Sequence, residues 1–318
     1  LKTRVCLVVS SYNGRTVTYK GKPIIKLLLD SIKNISFSGY KTILTDDCSP
    51  DGTDEYVRKN YPHVDVLSHK KNVGYAKNNN SAIAYALKRY NPEYMVLLND
   101  DVIARDRTWL SRLVELADGD ARIGVEGCKL VYPDLKIQHA GISIKNLPKT
   151  RGRAETDNGQ YDKIEDIDAV IGAVILIRRE VIKKIGVLDD SCFRAPEDAD
   201  YCLRASAAGY RVVYNGRVSL IHLEGHTLTF SKSQEMRDKI FCKRQEGRTY
   251  FAFKHHRGIR LLTTLAIILG GAFFTIESED RQRKISSMRM NRRVFWRVSA
   301  TVSAMASARK IYMESRSK

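Results

Sequence analysis

Short apolar runs alternate with longer stretches of helical periodicity through the first hundred residues. Val5 to Val9, Lys41 to Thr45, Val64 to Leu67 and Tyr94 to Leu98 have strand length, and Ile24 to Ile35, Thr53 to Asn60 and Ala76 to Tyr90 between them have helical character. Runs that are apolar almost throughout, and that feed directly into polar loops, belong to strands buried on both faces by helices. The pattern predicts a doubly wound α/β fold with a mainly parallel central sheet. In such sheets ligands lie beyond the carboxyl ends of the strands. Those ends carry Ser10-Ser11-Tyr12-Asn13, Asp46-Asp47-Cys48-Ser49 and Asn99-Asp100-Asp101.

From Ile123 to His226 strands (Gly124 to Tyr132, Ala169 to Arg178, Val212 to Asn215) mix with helices (Arg179 to Ile185, Asp198 to Ala208). Between them, NLPKTRGRAETDNGQYD is rich in Gly, Asn and Asp and predicts a mobile surface loop. There is no internal repeat. With 318 residues the chain can bury a large core and divide into more than one unit.

Charge changes the picture in one place. The net charge is +18, which on its own suggests nucleic acid or an anionic membrane as a partner. Ser231 to Lys318 holds 20 Lys and Arg against 7 Asp and Glu, whereas Leu1 to Phe230 holds 34 against 29. The excess therefore belongs mainly to the tail. Six scattered cysteines without a CxxC pair point to a reducing compartment rather than a disulfide framework. The opening LKTRVCLVVSSYN is β-rich rather than a signal peptide, and no secretion is expected.

The chemistry-bearing residues cluster at the strand ends. YMVLLNDDV delivers Asp100 and Asp101 together; adjacent carboxylates are costly to bury and suit a hard divalent cation completed by phosphate oxygens. The alternative is an Asp-rich turn or helix cap. Asp46 and Asp47 form a second acidic pair, placed to accept from a base or a ribose, or to make an Asx-turn. In SPDGT, Asp51 and Thr53 read as structural, with Thr53 as the helix N-cap. NVGYAKNNN sets Gly74 before a helix whose free N–H groups could face phosphate, but neither GxGxxG nor GxxxxGK[ST] is present. RAPEDADYCLR brings Glu197, Asp198 and Asp200 into one helix start. The helix dipole and a salt bridge to Arg204 account for two of these acids and leave one over. VSLIHLEGHT ends an apolar run at His222, with His226 four residues on, and His222 is a candidate metal ligand.

Taken together, VSSYNG, TDDCSPDGT, NVGYAKNNN, LLNDDV, GAVILIRREVIKKIGVLDD, PEDADYCLR and HLEGHT resemble, in order, the family 2 inverting glycosyltransferases of the GT-A fold. The tail segment KRQEGRTYFAFKHH resembles the rhamnosyltransferase-like branch. The resemblance implies a Rossmann-like nucleotide-binding fold with helices on both faces of the sheet and a C-terminal helical tail. It also implies roles. Tyr12 would lie against the nucleotide base, with Asn13 beside it; Asp47 would accept the base N–H, with Asp46 alongside. Gly74 and Asn80 would join the donor site. Asp101 would be the leading Mn²⁺ or Mg²⁺ ligand, with Asp100 near metal and ribose and His222 completing the metal or pyrophosphate site. Asn99 takes the first position of the DxD-type element in place of Asp, which removes one possible ligand but is common in the pattern. Asp198 would be the catalytic base, supported by Glu197. The donor would be a UDP- or dTDP-sugar and the acceptor a glycan or polyprenyl-linked glycan. An aspartate at its ordinary pKa of about 4 would serve as this base without special tuning.

The corresponding division is 1–122 for nucleotide-sugar binding, 123–230 for the acceptor side and catalysis, and 231–318 for a basic helical tail. In that tail Leu261 to Ile276 is an uncharged run of 16 residues, interrupted by Gly270-Gly271, which predicts a membrane-dipping or packed helix rather than a full span. Farther on, Phe295, Val298, Val302, Met305 and Ile311 recur at near-helical spacing among arginines and Lys310. An anionic membrane surface is thus the expected partner of residues 261–313, on the cytoplasmic face of the cell membrane. The alternative is a helix packed on protein, in this chain or in a homo-oligomer. A nucleic-acid-binding protein would require a reading motif, which is missing, and a nucleotidyltransferase a GxGxR loop after the first strand, where SSYNGRTVTY offers none.

Overall fold

The structure is a computed structural model that describes residues 2–193, 196–224, 234–283 and 287–316. The chain forms two compact units. One comprises Leu1–Ile144, Pro148–Asp189 and Glu197–Phe230, and the other Lys145–Leu147, Asp190–Pro196 and Ser231–Lys318.

The first unit is built on a mixed sheet. Four parallel strands, β1 (Val5–Ser11), β4 (Tyr40–Asp46), β5 (Asp65–Ser68) and β6 (Tyr94–Asn99), lie in the order β6-β1-β4-β5. Beyond β6 the order continues through β13 (Val174–Arg178), β8 (Ile123–Val131), β14 (Arg211–His222) and β12 (Ile164–Asp166). β13 runs antiparallel to both neighbours, whereas β8 and β14 are parallel. Two short strands border the site: β7 (Val102–Ala104) pairs antiparallel with β14, and β9 (Ile137–His139) with β8. Separate hairpins are formed by β2 (Thr18–Tyr19) with β3 (Lys22–Pro23) and by β10 (Ile142–Ile144) with β11 (Pro148–Thr150).

Alternation along β1 explains the layering. Val5, Leu7 and Val9 pack in one core with Ile25, Leu28, Leu29 and Ile32 of α1 (Ile24–Ile32) and with Trp109, Leu110, Leu113 and Val114 of α4 (Trp109–Gly119). Cys6 and Val8, equally buried, point to the opposite face by the period of two, and α3 (Tyr75–Arg89) packs against β1 and β4. Both faces are covered, as uniformly apolar strands require.

Three details of the strands and helices depart from expectation. α2 (Thr53–Asn60) is capped through Asp51, which accepts the N–H and the hydroxyl of Thr53, so Thr53 is the first helical residue rather than the cap. Residues 169–173 are not strand, because Gly172 spends its backbone groups on side chains instead of the ladder. The predicted strand Val212 to Asn215 is the start of a twelve-residue strand that continues to His222 across a register shift between Asn215 and Ser219.

The loop read as mobile is pinned. The Lys129 ammonium, almost fully buried, pairs with Asp157 at 2.7 Å and with Asp162, while Arg151 bonds Ala140 O and Glu165, and Arg153 bonds Glu224. Arg151, Arg153, Asp157 and Asp162 answer buried or half-buried counter-charges, while Glu155, Thr156, Asn158 and Gln160 remain exposed.

The second unit contains α7 (Gln234–His255), α8 (Gly258–Arg283) and α9 (Ser287–Ser315). α8 runs through Gly270-Gly271 without a break, since glycine weakens a helix by about 1 kcal/mol but, unlike proline, keeps its hydrogen bond. Along α9, Thr301, Ala304 and Ala308 are buried, and Ala308 packs with Tyr250 and Cys192, so part of the expected lipid-facing helix faces protein. On α8, by contrast, Ile259, Leu262 and Ile267 are exposed. No helix among the described residues is long and apolar enough to cross a membrane. The six cysteines, all within the described residues, form no disulfide.

Candidate active site

Strand register brings the acids into one row. Ser11 of β1 is level with Asp46 of β4, and Ser10 with Asn99 of β6, so the predicted polar ends lie side by side at one edge of the sheet. His222, at the end of β14, is level with Val102 of β7, and the N–H of Leu223 donates to the carbonyl of Asp101. A residue more than a hundred positions away is thereby set against the Asn99-Asp100-Asp101 turn.

The two turn aspartates differ. Asp100 Oδ2 accepts the Ser11 hydroxyl at 2.5 Å, and its carboxyl also receives the N–H of Tyr12. A Cβ on Gly14 would stand 2.6 Å from the Ser11 oxygen and 3.0 Å from Asp100 Oδ2, so glycine is what leaves room for this bond. Burial, reinforced by the adjacent charge of Asp101, holds the Asp100 carboxyl well above the usual range. Asp101 is buried too, and its Oδ1 lies 3.0 Å from Nε2 of His222 without an aligned hydrogen bond from any described group. Asn99 Oδ1 is likewise buried and unsatisfied.

The orphaned oxygens of Asp101 and Asn99 beside the His222 ring suit a divalent cation, which takes hard oxygen and imidazole ligands. Among the described residues no group of three or more His, Cys, Asp and Glu side chains is gathered for a metal. Asp101 and His222 come together, whereas Asp100 is held by Ser11 and Tyr12. The remaining positions around a cation would have to be filled by water or phosphate oxygens.

On the β4 side, Asp46 accepts the Ser49 hydroxyl at 2.5 Å and the Ser49 N–H at 2.8 Å, which is the turn-forming alternative for that residue. Burial, opposed by those two bonds, raises its carboxyl above the usual value. Asp47 accepts the N–H groups of Val73 at 2.6 Å and Gly74 at 3.0 Å, closing the NVG loop. Gly74 has a φ of 86°, a conformation side chains disfavour, and its N–H is thus directed at Asp47. Asn80 bonds the Leu188 backbone with both amide atoms. Tyr12 is partly exposed at the edge, and Asn13, at a φ of 63°, donates its N–H to Ser49.

Asp198 stands in the first turn of α6 (Glu197–Ala207) beside half-buried Glu197. Its Oδ2 accepts the N–H of Gly172 at 3.0 Å and its Oδ1 that of Ala199 at 2.7 Å. The carbonyl of Gly172 in turn accepts the Tyr75 hydroxyl at 2.7 Å, and that of Ala173 the N–H of Asn99. Asp198 is thus tied to the strand end that carries Asn99. Burial raises its carboxyl above the usual value, although the amide bonds oppose this; the sequence reading expected an aspartate at its ordinary pKa. Asp200 pairs with Arg204 at 2.8 Å, as an ordinary helical ion pair. His226 lies outside the described residues.

The sequence pattern passed over Ser11, Tyr75, Gln138 and Gly172 as site residues. Ser11, Tyr75 and Gly172 lie in VSSYNG, NVGYAKNNN and GAVILIRREVIKKIGVLDD without a chemical type that singles them out, and nothing local marks Gln138.

The family model of glycosyl transferase family 2 matches residues 6–186, more than half of the chain. The chain belongs to glycosyl transferase family 2. Among curated proteins, this family 2 chain is 32% identical over 213 residues to an uncharacterized protein of Sinorhizobium fredii, a match covering 63% of this chain and 22% of that protein. It is 26% identical over 223 residues to the Escherichia coli rhamnosyltransferase WbbL, covering 66% and 82%, and 24% identical over 238 residues to the Mycobacterium tuberculosis N-acetylglucosaminyl-diphospho-decaprenol L-rhamnosyltransferase, covering 66% and 75%. The chain thus spans about a fifth of the Sinorhizobium relative. Residues 1–349 of TarS from S. aureus share the fold at a TM-score of 0.52 and 14% identity, over 98% of this chain and 92% of that one. GalNAc-T7, solved with UDP, GalNAc and Mn²⁺, aligns at a TM-score of 0.53 and 16% identity, over 70% and 45%. The mixed, mainly parallel α/β fold is that of the GT-A glycosyltransferases.

Proposed function

We propose that the protein is a metal-dependent, inverting glycosyltransferase that moves a sugar from a nucleoside diphosphate donor to a glycan or lipid-linked glycan. The observation that carries this is Asp198: a carboxylate with raised basicity, held by two backbone amides and tied to the strand end that presents Asn99, Asp100 and Asp101. In this reading Asp198 takes the proton of the acceptor hydroxyl as that oxygen attacks the anomeric carbon from the face opposite the diphosphate. A single displacement inverts the configuration. Gly172 and Ala199 fix the carboxylate, and Tyr75 fixes Gly172. Asp101 and His222 would hold the cation, Mn²⁺ or Mg²⁺, and Asp100 would support that site. When bound, the cation neutralises charge that grows on the departing diphosphate.

Residues 1–122 then serve the donor, a UDP- or dTDP-sugar, and 123–230 the acceptor and the base. Tyr12, Asn13, Asp46, Asp47, Gly74 and Asn80 shape the donor side, the last four by holding its loops. The basic tail with exposed Ile259, Leu262 and Ile267 fits an anionic membrane surface. Rhamnosyltransferase names among the relatives favour a deoxyhexose and an envelope glycan.

A panel of UDP- and dTDP-sugars incubated with purified protein and Mn²⁺ tests this reading. Release of nucleoside diphosphate from one donor, abolished by EDTA, is expected; release that is indifferent to EDTA overturns the metal assignment.

A further inference from the structure

We infer that Gln138, which belongs to no motif, is a positioning residue that sets the tautomer of His222. The inference rests on reading His222 as a ligand to the cation.

Gln138 is buried in β9, where its Nε2 lies 3.2 Å from the carbonyl oxygen of His222 and 3.3 Å from Oε2 of Glu224. A backbone carbonyl and an ionised carboxylate can only accept, so the amide NH₂ must face them. Its Oε1 is then left 2.6 Å from Nδ1 of His222. An amide oxygen cannot donate, so the proton of this bond belongs to Nδ1, and a neutral imidazole keeps its lone pair on Nε2. Glu224 is itself oriented by the Tyr132 hydroxyl at 2.9 Å and by Arg153, 2.9 Å from both carboxylate oxygens.

In the neutral ring the lone pair of Nε2 then faces Asp101 Oδ1, 3.0 Å away, with the Asn99 amide nitrogen a long 3.5 Å off. Two acceptors facing each other in a buried place repel. The opposite tautomer would have removed that repulsion with an Nε2–H donated to Asp101, and would have filled the position a cation needs. Gln138 excludes it, at the expense of an unsatisfied site without the metal, and so keeps Nε2 available. Arg153 extends the same support to the pinned loop.

Long-range ¹H–¹⁵N correlation spectra of the full chain labelled at histidine, without metal and at neutral pH, read the tautomer directly; His222→Gln assigns the signal. The expected result is the Nδ1–H form in the wild type, loss of that preference in Gln138→Leu, and Mn²⁺ affinity about 10–100-fold weaker in that variant. A wild-type His222 protonated on Nε2, alone or together with Nδ1, overturns the inference without any variant. So does a Gln138→Leu protein with unchanged tautomer and Mn²⁺ affinity. An Nδ1–H wild type that binds no Mn²⁺, alone or with UDP, overturns instead the metal reading and leaves the tautomer assignment standing.

Discussion

The amide of Gly172 donates to Oδ2 of Asp198 at 3.0 Å while the carbonyl of the same glycine receives the Tyr75 hydroxyl at 2.7 Å. One residue thus joins the start of α3, on the donor side, to the carboxylate assigned as the base. Removing the hydroxyl deprives a site carbonyl of its partner, at about 1 kcal/mol. Tyr75→Phe should lower kcat about fivefold with donor KM little changed, because the bond positions Asp198 and touches no substrate. Steady-state kinetics that show only a raised KM would contradict this.

The pH dependence follows from the raised carboxyl of Asp198. Burial disfavours its charged form, and the base works only when ionised, so activity rises with pH through its pKa. The acid limb of kcat/KM should therefore have its midpoint above about 4, the ordinary aspartate value. A midpoint at or below that value would assign the limb to another group or deny the burial effect.

The loop at 151–163 should depend on Lys129. Replacing one partner of a buried ion pair leaves the others unpaired, and here Asp157 is mostly buried while Asp162 is half exposed. Lys129→Met should cost about 3 kcal/mol, the low end for such losses, and speed limited proteolysis within 151–163. Denaturant unfolding and peptide mapping check the two parts, and an unchanged cleavage rate would return the loop to the mobile class.

Membrane attachment should depend on the exposed apolar residues of α8. Ile259→Asp and Leu262→Asp should each weaken flotation with phosphatidylglycerol vesicles about tenfold, in line with the loss of one buried apolar side chain. Donor hydrolysis in solution should be unaffected. Equal flotation of wild type and variants would favour the protein-packing alternative.

The fold was legible because β1, β4 and β6 are apolar almost throughout and end in polar residues, a pattern only buried strands at a ligand edge explain. Asp101, Asp198 and His222 were legible for the same reason: each is a polar group where an apolar run stops or a helix starts. Partnerships were not. Asp47 looked free to meet a base, but the chain folds back to set the amides of Val73 and Gly74 on it, and no local pattern encodes that closure. Gln138 sits 84 positions from His222, in a three-residue strand whose sequence could face anything. The polar 146–162 segment reads as mobile because composition records charge but not the buried Lys129 that answers it.

The central claim is that Asp198 is the base. Its most direct test is the single-turnover rate of sugar transfer by Asp198→Asn with the donor that the Mn²⁺ screen selects, measured beside donor affinity by calorimetry. A rate lower by about 10²–10⁴-fold is expected, with donor affinity within a factor of about three of wild type. Transfer at a wild-type rate by the asparagine variant would contradict it.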